Sequence, residues 1–126
     1  MTALDEARLH LAKAREFLDT AEISRDLGLN NAAASNSVMA AINSKDAICL
    51  ALTGRTGKSD NHTQSVEELR RSGPVGAELT STLSRLLNLK TRSQYASRSV
   101  SAADAGKAVE WANRMYLTAE GVVRDR

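Results

Sequence analysis

Apolar positions recur every three or four residues along most of the chain. Over residues 3–27 they fall at Leu4, Ala7, Leu11, Ala14, Leu18 and Ala21, the spacing of one helix face. Gly28 then stops the pattern, and Asn30 or Asn31 is placed to cap a second helix over 31–53, which Gly54 ends. A short third helix over 62–72 starts behind Asp60 or Asn61 and stops at Gly73-Pro74. A fourth over 75–95 carries the stripe Leu79, Leu83 and Leu86. Ser101-x-x-Asp104 has the form of a capping box and opens a fifth helix over 102–124, striped by Ala105, Val109, Ala112, Tyr116 and Ala119. No segment alternates with period two. The pattern predicts an all-α fold: an antiparallel up-and-down bundle of about five helices in a single domain, 1–126.

Composition narrows the function classes. With 3% aromatic residues among 126, the core must be built from Leu, Ala, Val and Ile. One proline and seven glycines argue against a turn-rich β fold. Cys49 is the single cysteine, which forbids an internal disulfide and a cysteine-based zinc site. His10 and His62 lie on separate segments, so no metal and no cofactor is expected. The opening MTALDEARLHLAKAREF reads as an amphipathic helix and not as a signal peptide, and no apolar run approaches a membrane span. The expectation is a reduced, cytoplasmic protein.

The net charge of +2 does not announce nucleic acid. Its distribution is uneven: residues 1–29 hold four bases against six acids, and residues 74–100 hold Arg85, Lys90, Arg92 and Arg98 against Glu78. Such a basic quarter either steers a polyanion or keeps a surface soluble.

Three polar residues interrupt the apolar stripes, where burial costs several kcal/mol, on the order of 2–7, unless a partner is found. Asp46 continues the Met39–Ile42–Cys49 face, His62 precedes Val66 and Leu69, and Lys90 follows Leu86. With the fourth helix returning towards the 54–60 loop, Asp46, His62, Lys90 and Tyr95 are expected to meet at one bundle end. Two readings stand. Asp46 and Lys90 form a buried pair that fixes register, or the four make a ligand or substrate pocket with His62 as proton carrier, Lys90 holding an anion and Tyr95 positioning it. Asn36 and Asn43, on the small-residue face of the second helix, are expected to bond between helices. That face, rich in Ala and Ser, also suggests a homodimer. The loop GRTGKSD echoes a phosphate loop without its spacing or its preceding strand.

In their order these features resemble the HEPN domains, small all-helical prokaryotic proteins. The second helix NNAAASNSVMAAINSKDAI is followed by Lys58-Ser59-Asp60-Asn61-His62, then by Leu86-Leu87-Asn88-Leu89-Lys90-Thr91-Arg92-Ser93-Gln94-Tyr95, and last by the Ser-capped SVSAADAGKAVEWANR. Lys90 and Tyr95 form a Lys-x-x-x-x-Tyr arrangement similar to that of actinobacterial members. The resemblance covers nearly the whole chain. It implies a bundle of four or five helices, often dimeric, with a nucleotidyltransferase or antitoxin as partner, in a toxin–antitoxin or defence context.

Many HEPN toxins are metal-independent ribonucleases in which an arginine is followed, after four to six residues, by a histidine. Aligning Tyr95 with the tyrosine that often follows that histidine places Asn88 and Ser93 where the arginine and histidine belong, and neither can do their work. Arg55 and His62 have the spacing but sit in the earlier loop. The sequence therefore predicts a module without the usual ribonuclease motif, binding a nucleotide, RNA or a protein partner through Asp46, Lys90, Tyr95, Arg55 and Arg92. The alternatives are a metal-independent endoribonuclease toxin using His62, with Arg55 or Lys90 as its cation, and a structural helical adaptor.

Overall fold

The computed structural model describes residues 1–57, 61–95 and 98–126, with the side chains of 92–95 outside the described set. Six helices and no strand occur among the described residues: α1 Ala3–Asp26, α2 Asn30–Thr53, α3 His62–Arg71, α4 Pro74–Glu78, α5 Thr80–Tyr95 and α6 Ala102–Arg124. No described helix is long and apolar enough to cross a membrane.

Each start has an identifiable cause. Thr2 accepts from the Asp5 amide while the Asp5 carboxylate accepts from the Thr2 amide, a complete capping box on α1. Asn61 caps α3 by accepting from Gln64 N, and Ser101 caps α6 by accepting from Asp104 N. The expected asparagine cap of α2 is not made. Leu29 holds that position with no side-chain bond. Asn31 instead accepts from the Val100 amide at 2.9 Å, tying the entry of α6 to the start of α2. Gly54 ends α2 at φ 77, a left-handed backbone that glycine adopts without the Cβ clash.

The single helix expected over 75–95 is two. Leu79 separates α4 from α5, and its amide bonds back three residues to the Gly76 carbonyl. The cause lies in Gly76, which packs directly on the end of α3. A Cβ there would stand 2.2 Å from the Leu69 carbonyl oxygen and 2.1 Å from Ser72 Oγ. Pro74 starts this short α4.

Helix α2 is the central element. It is buried on several sides, including at Ala33, Ala34, Ser37, Val38, Ala40, Ala41, Ala47 and Ile48. It packs chiefly on α1 and α6 and also on α5. The small residues of α2 are therefore used inside the chain, where they let α1 and α6 approach closely. The stripes of α1 and α6 are buried as their spacing implies: Ala7, Ala14, Leu18 and Ala21 on one, Ala105, Val109, Ala112, Tyr116 and Ala119 on the other. Leu79, Leu83 and Leu86 complete the core from the α4–α5 side.

Candidate functional site

The most buried charge of the described chain is Lys45, at 2% exposure. It continues an apolar row of α2, Ala34–Val38–Ala41–Lys45–Ile48, so its stem packs in the core and its ammonium must find partners. Lys45 Nζ donates to Glu68 Oε2 at 2.7 Å, to Thr56 Oγ1 at 3.0 Å and to Asp46 Oδ1 at 3.3 Å. Thr56 donates in turn to Asp46 Oδ1 at 2.6 Å, and the Gly57 amide donates to Glu68 Oε2 at 2.7 Å. Burial opposes the charge of Lys45, but the hydrogen bond to Glu68 and the charges of Asp46 and Glu68 outweigh it and hold the ammonium above its ordinary value. Glu68 is the mirror case: burial alone would raise its carboxyl, and the bonds from Lys45 and Gly57 hold it below the ordinary value.

This network fastens the loop after α2 onto the bundle. Thr56 and Gly57 are both held by it, while Arg55 shares Thr53 Oγ1 through its backbone amide and carbonyl. Cys49 lies beside it with Sγ 3.7 Å from the Glu68 carbonyl oxygen. Burial pushes the Cys49 thiol up to about 11 despite the nearby ammonium, so it is not a thiolate nucleophile at neutral pH. Among the described residues no group of three or more His, Cys, Asp or Glu is placed to hold a metal ion.

His10 approaches the network from α1. Its Nδ1 lies 2.9 Å from Asn43 Oδ1 and 3.8 Å from Asp46 Oδ2. Asn43 Nδ2 donates to the Met39 carbonyl at 2.9 Å, which turns the amide oxygen to the imidazole. A carbonyl oxygen can only accept, so Nδ1 carries the hydrogen and Nε2 is left as the acceptor in the neutral ring. Asn43 thus makes the expected interhelical bond, whereas Asn36 bonds only the Ala32 carbonyl of its own helix.

Two grooves matter. The larger, about 720 Å³, lies between α1 and the loop after α2, and His10, Lys13, Arg55 and Thr56 line it. The smaller, about 280 Å³, lies between α3 and α5, lined by His62, Thr63, Arg70, Ser84 and Asn88 among others. Arg70 in that groove is paired with Glu67.

Of the four residues expected at one bundle end, Asp46 and His62 lie in different surroundings. Asp46 bonds to Lys45 and Thr56 and faces His10, while His62 faces α5 in the smaller groove. The cation bonded to Asp46 is Lys45, its chain neighbour, and Lys90 is half-buried. Beyond α5 the chain reaches Val100, which bonds Asn31 at the start of α2, 15 residues or roughly 22 Å along that helix from Asp46. The fourth long segment therefore returns towards the start of α2 and away from Gly54 at its end, because Val100, just before the 102–124 helix, is bonded beside the start of α2. The side chains of Tyr95 and Arg92 lie outside the described residues. Arg55 lines the larger groove with His10, and His62 lines the other.

The described residues form an all-helical bundle organised around a central helix, with a buried Lys–Glu–Asp network beside the Thr56–Gly57 segment that follows it. The chain belongs to the HEPN domain family, whose sequence model matches residues 7–122. No curated protein matches the chain.

Proposed function

We propose that this protein is a HEPN module that binds a nucleotide or RNA in the groove between α3 and α5 and does not cleave it. One observation carries the reading. His62 shares its groove with Asn88, an uncharged residue, and the arginine of that groove, Arg70, is tied to Glu67. Metal-independent RNA cleavage needs a proton carrier beside a cation committed to the phosphorane charge. This groove offers hydrogen-bonding groups instead: the imidazole, the hydroxyls of Thr63 and Ser84 and the Asn88 amide.

A second reading keeps His62 as the base of a ribonuclease, and what favours it is that His62 and Arg70 line one groove. It requires Arg70 to leave Glu67. Self-association into a homodimer and pairing with a nucleotidyltransferase or antitoxin belong to both readings as proposals drawn from the family resemblance.

Amide chemical-shift mapping with a short single-stranded RNA and with adenosine and guanosine nucleotides tests the site. The binding reading expects shifts clustered on Thr63, Arg70, Ser84 and Asn88, lost in Asn88→Leu. Shifts confined to other faces, or unaffected by Asn88→Leu, contradict it.

A further inference from the structure

We propose that the larger groove, between α1 and the loop after α2, is a second ligand site: it takes an aliphatic monocarboxylate with a hydroxyl beside its carboxylate, Arg55 holding the carboxylate and His10 accepting from the hydroxyl. The inference is independent of the reading given for the α3–α5 groove. At about 720 Å³ the space falls within the range, roughly 300–1,000 Å³, of small-molecule sites.

Charge sets the first constraint on the occupant. Lys13 and Arg55 line the groove together with Glu6 and Glu16, two cations against two anions. Such a balanced lining gives no advantage to a polyanion, so a single negative charge must be held locally, by Arg55. The walls set the second. Leu9, Ala12 and Leu50 are aliphatic, and His10 is the one ring among the lining residues. With the edge of the His10 ring given to the polar end of the ligand, the wall left for its body is aliphatic and suits an aliphatic chain.

The polar end is built to be rigid. Arg55 stands on a loop fastened on both sides, by Thr53 before it and by Thr56 and Gly57 after it. The buried Lys45 network thereby fixes the position from which the guanidinium works, and its planar fork matches a carboxylate. In the neutral ring Asn43 sets the His10 tautomer, so there Nε2, the other polar atom, is an acceptor. An acceptor facing a ligand selects a donor group there, which the hydroxyl supplies.

Calorimetric titration of the full chain with 2-hydroxyoctanoate, octanoate and the dinucleoside monophosphate UpA tests this. The expected result is binding of 2-hydroxyoctanoate, weaker binding of octanoate and none of UpA. Arg55→Ala, a change at an exposed loop side chain, is expected to weaken 2-hydroxyoctanoate by about tenfold or more. His10→Phe should erase the preference for the hydroxylated acid while octanoate still binds, and exposed Lys107→Ala should bind as the parent does. Absence of heat from 2-hydroxyoctanoate, equal affinity in Arg55→Ala, or uptake of UpA in its place would each overturn the assignment.

Discussion

Replacing Lys45 with alanine leaves Glu68 and Asp46 facing a cavity with their cation gone. Breaking a buried pair costs about 3–5 kcal/mol, and the low end, about 3, is expected because the Glu68 side chain keeps 24% of its surface in water. Urea unfolding at neutral pH measures it. Lys45→Met together with Glu68→Leu should recover part of the loss, because two of the three charges go at once and Asp46 keeps Thr56 as a donor. The pH dependence follows from the two shifts. Glu68 is held below its ordinary 4.5, so its contribution is present above that value and is lost as pH falls through the lower folded-state value. Lys45 is held above its ordinary 10.5, so its contribution is present below that value and is lost as pH rises through the higher folded-state value. Glu68→Gln should flatten the acid limb of a stability-against-pH curve; an unchanged limb would show that other carboxylates control it. The signal for Lys45 was in the sequence as a charge on the row Ala34–Val38–Ala41–Ile48. Its partner was not, because Glu68 stands among the ordinary charges of a solvated helix and only the tertiary path of α3 brings it to Lys45.

At the scale of elements, two glycines in helices predict opposite outcomes. Gly76→Ala must displace the Leu69 carbonyl, which is backbone, and overpacking of this kind costs about 1–3 kcal/mol. Gly106→Ala on α6 meets nothing within 4 Å and should stabilise by about 0.5–1 kcal/mol. Parallel denaturation curves of the two variants check both signs. The same glycine explains what the pattern missed. Leu79, Leu83 and Leu86 keep a helical spacing across the break, so periodicity alone reads one helix, and only the close approach of Gly76 to α3 separates α4 from α5. The long helices were legible because their stripes and stop signals agree. The direction of α5 was not, because it depends on the Asn31–Val100 bond between residues 69 apart.

For the whole molecule, the Ala and Ser residues of α2 are spent on α1 and α6, so a dimer must use another surface. Sedimentation equilibrium at micromolar concentration is expected to give the mass of two chains, and Ser37→Leu on α2 to disturb folding before it disturbs association. The buried network holds Thr56 and Gly57 in place, and the α3–α5 groove is proposed to recognise its ligand without a committed catalytic cation. The measurement that bears most directly on this account is the fate of an RNA that the protein binds. A 5′-labelled single-stranded RNA, held with excess protein at neutral pH with and without chelator, is followed by anisotropy and by denaturing gel. Raised anisotropy and intact RNA are expected. Shortened products that persist with chelator and vanish in His62→Ala would contradict it and establish the ribonuclease.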